Sequence, residues 1–260
     1  MPNSETPAAG SENSANFLGK PQPLTHRRVL KIAIPIVLSN ATVPILGAVD
    51  VGVVGQLGEA APIGAVALGA IILTTAYWIF GFLRMGTVGL VGQAAGAGDT
   101  AEVSAILSRA LLIALGGGLL VILAYPLITW MAFFWQPTSE EVEGLARQYL
   151  SIRIVTAPFA IAVYALTGWL LAMERTGAVF VIQVVMNGLN ILLDLWFVLG
   201  LGWGVEGVAI ATAIAEVSGA AIALWYCRDA FARPDWKDRA RVFDRGRLIA
   251  MAVLLSLIHI

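Results

Sequence analysis

Six long apolar runs are the feature that most constrains how this chain can fold. A bilayer core about 30 Å thick is crossed by about 20 apolar helical residues, and each run reaches that length. Only short polar segments separate the runs, so consecutive helices should be antiparallel neighbours. We therefore predict an all-α polytopic membrane bundle with six complete transmembrane helices, at about residues 29–54, 64–91, 104–134, 150–173, 178–201 and 205–227.

Composition excludes several other classes of protein. The chain is 58% hydrophobic and 13% charged, whereas ordinary soluble domains are roughly 45–50% apolar and about 25% charged. A net charge of −1 with no Lys/Arg run gives no attraction for nucleic acid. The single cysteine, Cys227, excludes an internal disulfide and leaves no zinc-type ligand set. We expect no cofactor, and no metal beyond a coupling sodium ion.

The remaining segments divide the chain around these spans. Residues 1–23, rich in Ser, Asn, Pro and Ala, are expected to form a disordered tail. A basic cluster then precedes a run of full spanning length, so the first span is retained and not cleaved. Residues 24–227 form the six-helix lobe, and residues 228–247 form a basic linker. Residues 248–260 cover only about 20 Å of helix, so we expect a fragment truncated in its seventh span.

The distribution of basic residues predicts the orientation in the membrane. Lys and Arg cluster before the first span and in the linker, and are absent from the turns after the first and fifth spans. Cytoplasmic loops carry such an excess, so the tail and the linker should both be cytoplasmic. We expect reporters placed after Lys20 and after Arg239 to be cytoplasmic, and a tag in residues 137–144 to be exterior.

Ionisable residues within the spans are the candidate functional residues, because a charge at a helix centre costs about 2.5–3.5 kcal/mol on insertion scales. They are Asp50, Arg84, Arg153, Asp194 and Glu216. At about 1.5 Å per residue, Asp50 lies about 30 Å along its outward span, and Thr212 lies about 10 Å in from the exterior. Asn190 and Asp194 fall in the outer half of their span. These four residues, from three helices, therefore converge on one level.

Asn190 and Asp194 also share a helix face, being four residues apart, and Asn187 extends the same stripe. Carboxylate, amide and hydroxyl oxygens suit a sodium ion. An apolar setting disfavours the charged carboxylate, so the site could equally hold a proton. The alternative is a buried polar network that only joins helices. For Asn187 itself we expect a packing role.

Other residues leave alternatives open. Pro35 and Pro44 lie within the first span and are expected to bend it. Arg84 should snorkel to headgroups or pair with an internal acid. Glu216 is a second proton site, the gate partner of a basic group, or a plain interhelical hydrogen-bonding residue. Arg109 and Arg153 lie near span ends, and we expect no special role for either. We expect Gly116–Gly118 to allow close packing of helices.

Three stretches resemble a known family of transporters. They are "IAIPIVLSNATVPILGAVDVGVVGQLG", "FGFLRMGTVGLVGQAAGAGD" and "MNGLNILLDLWFVLGLGWGVEGVAIAT". Together they resemble the multidrug and toxic compound extrusion (MATE) family, in particular its DinF-like bacterial branch. The likeness runs from about Leu24 to Leu248, which is the amino-terminal lobe of a twelve-helix transporter.

The resemblance implies an inner-membrane antiporter, not an enzyme, that exports small organic, often cationic, compounds against protons or sodium. The family's amino-lobe site corresponds to Asp50, Asn190, Asp194 and Thr212. The carboxy-terminal lobe is the missing partner. Alternatives are a lipid-linked substrate flippase, a membrane scaffold, and an intramembrane aspartyl protease. The flippase would favour a more basic cavity, and the protease would want "GLGD" where this chain has "GLGW".

Overall fold

The computed structural model describes residues 25–232, 236, 238–247, 249 and 251, without the side chains of residues 28, 40, 42–46 and 239. The predicted tail and most of the predicted seventh span therefore lie outside the described residues, as does the side chain of Pro44. The described part is helical throughout its spans. Its helices are α1 His26–Gly55, α2 Ala60–Trp78, α3 Phe82–Gly96, α4 Thr100–Leu123, α5 Tyr125–Trp135, α6 Glu140–Arg153, α7 Ala157–Ala172, α8 Thr176–Asp194, α9 Gly204–Tyr226, α10 Arg228–Phe231 and α11 Arg239–Val242.

Six helical stretches correspond to the six predicted spans. Among the described residues, five are long and apolar enough to cross a membrane: Ala60–Gly96, Thr100–Leu123, Glu140–Ala172, Thr176–Gly200 and Gly204–Tyr226. The sixth, α1, is a 30-residue helix that continues through both Pro35 and Pro44. The all-α prediction and the membrane-spanning class are therefore confirmed.

The fourth span begins about ten residues earlier than the sequence prediction. Ser139 caps helix α6 by accepting a hydrogen bond from the backbone N–H of Val142 at 3.4 Å. Three glutamates in the first turn complement the positive end of the helix dipole. A search for apolar runs does not detect this polar first half of the helix. A 3₁₀ turn, Ile154–Thr156, then joins α6 to α7 without ending the span.

Glycines allow the helices to approach closely, as the small-residue patterns predicted. A Cβ on Gly118 of α4 would collide with the backbone of Pro158 in α7, whereas one on Gly116 would meet nothing within 4 Å. A Cβ on Gly219 would lie 2.7 Å from the sulfur of Met186, so α9 and α8 are pressed together. These contacts fix the seam between α4 and α7 and the seam between α8 and α9.

The linker after the sixth span packs against α4. Glu102 accepts ion pairs from Arg109 in its own helix and from Arg247 in the linker, and Arg241 lies 3.5 Å from Asp99. The expectation that Arg109 needs no special role is therefore wrong, since its side chain is buried and paired. The sequence could not place the linker next to Glu102, because the two are far apart along the chain.

Candidate functional site

Asp50, Asn190, Asp194 and Thr212 meet inside the lobe, as the depth count predicted, and are called the carboxylate cluster below. Asp50 comes from α1, Asn190 and Asp194 from successive turns of α8, and Thr212 from α9. Asn190 and Asp194 are both 0% exposed. Helix α8 packs against both α1 and α9, which brings the three elements together at this level.

The side-chain amide of Asn190 links the two carboxylates to α9. Its nitrogen lies 3.1 Å from Asp50 Oδ1 and 3.3 Å from Asp194 Oδ2, where it donates hydrogen bonds. Its oxygen accepts from the backbone N–H of Thr212 at 3.2 Å and from the hydroxyl at 3.0 Å. This orientation satisfies both ends of the amide, whereas the reverse orientation would place its oxygen against the two acids.

The carboxyl groups of Asp50 and Asp194 lie side by side, since the Asn190 nitrogen reaches an oxygen of each. A hydrogen bond between the two acids requires that one of them is protonated, because two ionised carboxylates have no hydrogen to donate. Like charges in a buried site also disfavour joint ionisation. The arrangement therefore suits a pair that holds one proton between its two members. The second oxygen of Asp194, Oδ1, is buried without a hydrogen-bond partner.

The helix changes its winding immediately after Asp194. The next six residues, Leu195–Gly200, form a π-helix that precedes the turn into α9. Such wide turns are uncommon and are found mostly at functional positions within α-helices. Asp194 thus sits where the α-helical hydrogen-bond pattern ends, while Asn190 lies one turn back in regular α-helix.

A second group of buried polar residues lies one helical turn away, and we call it the ion-pair cluster: Tyr149, Arg153, Thr156 and Glu216. The Arg153 guanidinium lies 2.5 and 2.9 Å from the two carboxylate oxygens of Glu216. The Thr156 hydroxyl donates to Glu216 at 2.6 Å, and Arg153 Nε donates to the Tyr149 hydroxyl at 3.4 Å. The expectation that Arg153 needs no special role is wrong. Of the alternatives for Glu216, the structure shows pairing with a basic group.

Depth counting misplaced Arg153 because the predicted span began too late. From Glu140, the true start of α6, Arg153 lies about 20 Å along the helix, and Glu216 lies about 18 Å from the start of α9. With the correct helix boundary, the same count would have placed the two charges at one level. Tyr149 and Thr156 carried no sequence signal that distinguished them from other polar residues in spans.

A cavity of about 390 Å³ connects these groups with the two remaining candidates. Its wall includes Asp50, Asn190, Thr212 and Glu216, together with Asn187 and Arg84. Asn187 is buried and accepts a hydrogen bond from the Gln183 side chain at 3.0 Å. Arg84 lies in the first turn of α3 and is close to α7, since a Cβ on Gly168 would lie 2.6 Å from its carbonyl oxygen.

The fit of a sodium ion to the carboxylate cluster is incomplete in this arrangement. Carboxylate oxygens are available, but Asn190 turns its nitrogen toward them and its oxygen toward Thr212. A sodium ion needs oxygen ligands, so Asn190 would have to rotate before it could contribute one. No group of three or more His, Cys, Asp or Glu side chains suited to a metal occurs within the residues that the structure describes.

Acidic side chains beside a cavity in a multi-pass helical lobe are typical of membrane transporters. Comparison with known proteins identifies the family: the sequence model of MatE matches residues 35–196. The chain is 41% identical over 197 residues to DNA damage-inducible protein F of Escherichia coli K12, covering 76% of this chain and 43% of that protein. The chain therefore belongs to the MatE family. Family members are transporters, which excludes the intramembrane protease.

Other relatives agree with this assignment. Protein DETOXIFICATION 44, chloroplastic, of Arabidopsis thaliana is 28% identical over 230 residues, covering 83% of this chain and 44% of that protein. A MOP superfamily transporter from Pyrococcus furiosus shares the fold with a TM-score of 0.72 at 20% identity, over 82% of this chain and 46% of its own. An outward-facing multidrug resistance MATE transporter gives 0.72 at 21% identity, over the same shares. The chain thus spans less than half the length of these relatives.

Proposed function

We propose that this chain supplies the amino-terminal lobe of an inner-membrane exporter that expels small organic compounds in exchange for protons. The observation that carries the proposal is that one amide nitrogen, that of Asn190, lies within 3.1 Å of an Asp50 oxygen and 3.3 Å of an Asp194 oxygen, which places the two carboxyl groups side by side. Two acids that can hold one proton between them beside a cavity form a device that gains or loses a charge as the proton binds or leaves.

The geometry favours protons over sodium as the coupling ion. Asn190 donates to both acids, which stabilises the charge that remains when one proton is shared. It offers no oxygen to a metal ion in this orientation. Loss of the shared proton would leave two like charges in contact within a buried site, and repulsion would then favour a different arrangement of α1 and α8.

Binding or loss of the proton can affect the cavity because the carboxylate cluster forms part of the cavity wall. Asp50 lies on α1, which packs on α8 and contacts α9, so a shift of α1 would change the cavity shape. Export then requires that the proton-bound and proton-free forms differ in affinity for the substrate. We propose the cytoplasmic orientation of the tail and linker as well, on the distribution of basic residues.

The test uses the full-length transporter that contains this lobe, purified and reconstituted in vesicles. Asp194→Asn keeps the shape of the side chain but cannot change charge, so we expect proton-driven substrate efflux to fall at least about tenfold, a loss typical of a proton-transfer group. Glu206→Gln is the matched control, because Glu206 is an exposed carboxylate at the start of α9. It should export at the parental rate.

Two ion gradients separate the coupling ions. We expect an imposed proton gradient to drive efflux and a sodium gradient at constant pH to drive none. Efflux driven by sodium alone would reject proton coupling, and parental efflux by Asp194→Asn would reject the coupling role of the cluster altogether. Protein amount and vesicle insertion are measured for every variant.

A further inference from the structure

Among the residues that the structure describes, one basic group that lines the cavity has no ion-pair partner. Asp50 belongs to the carboxylate cluster, and Arg153 is neutralised by two contacts with Glu216. Arg84 also lines the cavity, yet it forms no ion pair or hydrogen bond with any residue that the structure describes. A guanidinium has five N–H donors and no acceptor, so its unmet need is for an anionic or strongly accepting group.

A second donor lies beside Arg84. Tyr164 lines the same cavity from α7 and interacts electrostatically with Glu216 and with Arg84. Within the described part of the chain, its hydroxyl has no hydrogen-bond partner either. The two side chains therefore present hydrogen-bond donors to one region of the cavity, and they come from helices that Gly168 holds in close contact.

The position of this pair separates it from the carboxylate cluster. Gly168 lies four residues before the end of α7, and Val179 lies near the start of α8, so both are close to the turn that joins the two helices. Val179 and Asn190 both line the cavity, and they are about 16 Å apart along α8. The cavity thus has the carboxylate cluster toward one end and Arg84 toward the other.

The wall between the two ends is largely apolar, with Leu73, Val163 and Met186 contributing. A ligand that fills this space must be apolar in its body. At the Arg84 end of the cavity, the planar guanidinium offers N–H donors whose geometry matches a carboxylate, sulfonate or phosphate group. The Tyr164 hydroxyl can donate a further hydrogen bond to the same group.

From these contacts we infer that Arg84 and Tyr164 form an anion-binding subsite, and that the compounds bound in this cavity are amphipathic molecules with a carboxylate, sulfonate or phosphate group. This inference rests on the proposed function for its transport aspect. The binding site itself is independent of which ion drives transport.

The anionic group could come from a soluble compound or from a lipid headgroup, and the experiment distinguishes them. The full-length transporter in detergent is titrated with a rhodamine dye that carries a free carboxylate and with its methyl ester, and binding is followed by fluorescence anisotropy. Arg84→Gln should weaken binding of the acid dye about tenfold and leave binding of the ester unchanged, because a charge-assisted hydrogen bond forms only with the carboxylate. The affinity of Arg84→Lys for the acid dye should lie between that of the parent and that of Arg84→Gln.

Tyr164→Phe is a milder variant that preserves packing and removes only the hydroxyl. It should weaken binding of the acid dye about threefold, since it removes a single hydrogen bond, and it too should leave binding of the ester dye unchanged. An equal loss of both dyes in Arg84→Gln would overturn the inference, because it would mean that Arg84 supports the structure or pairs with an acid elsewhere in the full-length protein.

Transport in vesicles then separates the lipid source from the soluble one. The acid and ester dyes are compared in phosphatidylcholine vesicles with and without phosphatidylglycerol. Discrimination by Arg84 that persists without the anionic lipid supports a soluble anionic substrate. Competition between phosphatidylglycerol and the acid dye would assign the subsite to a lipid headgroup. A parent that binds the acid selectively but exports neither dye would reject the proposed function and leave the subsite standing.

Discussion

The two buried polar clusters lie one turn apart on α9 and differ in how their charges are balanced. In the ion-pair cluster, Glu216 meets Arg153 at 2.5 and 2.9 Å and receives a further hydrogen bond from Thr156. In the carboxylate cluster, Asp50 and Asp194 meet each other, and no cation among the described residues forms an ion pair with them. The first cluster is electrostatically complete, while the second needs a proton or cation from outside.

This difference in charge balance indicates which of the two clusters can change its charge within the membrane. A buried ion pair is neutral as a unit, and removing either partner leaves an uncompensated charge at high cost. The carboxylate pair changes its charge when a proton binds, so its free energy depends on its surroundings. Arg153 also interacts with both acids over a longer range, which makes the fixed pair a constant electrostatic background for the variable one.

The largest expected effect comes from opening the ion-pair cluster. Arg153→Met leaves Glu216 buried without its cation, and we expect a loss of about 3–5 kcal/mol in unfolding free energy. The double variant Arg153→Met with Glu216→Met should recover most of that loss, because it removes both charges. The stability of each variant is measured as thermal unfolding of the full-length protein in detergent, monitored by size-exclusion chromatography. A double variant as unstable as the single one would mean that packing, not charge, sets the cost.

A smaller effect should distinguish the two threonines. Thr156→Val removes a 2.6 Å hydrogen bond to a charged acceptor, so we expect a loss of about 1.5–3 kcal/mol. Thr212→Val removes a 3.0 Å hydrogen bond to the neutral Asn190 oxygen, which keeps the backbone N–H, and we expect about 0.5–1.5 kcal/mol. The same thermal assay compares them. The reverse order would show that the carboxylate cluster is the more strongly bound structure.

The smallest effect on stability should come from Asp194→Asn. The amide keeps the side-chain shape and, like a protonated carboxyl group, carries no charge, so we expect a change of less than about 1 kcal/mol, small among point mutations. Unfolding is measured on the preparation used for transport, with Glu206→Gln as the matched control. A loss comparable to that of Arg153→Met would indicate that the carboxylate cluster only joins helices.

The sequence predicted the carboxylate cluster because its members obey simple geometry. Asn190 and Asp194 share a helix face by spacing, and Asp50 and Thr212 reach the same level by counting from helix ends that turn chemistry marks well. The helices that carry them also differ from their predicted bounds by only a few residues.

The positions of the ion-pair cluster and of the residues around Arg84 could not be predicted by counting from helix ends. Glu140 to Gln148 is polar, so an apolar search begins the fourth span too late and moves Arg153 toward the membrane surface. The environment of Arg84 depends on how α3 packs against Gly168 of α7, a contact between helices whose relative rotation no local pattern specifies. The π-helix after Asp194 has no signal in composition either, since its residues suit an α-helix equally well.

The attachment of the linker determines where this protein can be divided. Arg247 and Arg241 reach back to Glu102 and Asp99, and Phe231, Trp236 and Val242 border the same groove along α4. Ending the chain at residue 227 would expose that groove and leave Glu102 with Arg109 alone. A truncation meant to isolate the lobe should therefore extend through Arg247. Because the linker contacts include exposed ion pairs that salt screens, a lobe cut there should hold its linker more tightly in dilute buffer than in concentrated salt.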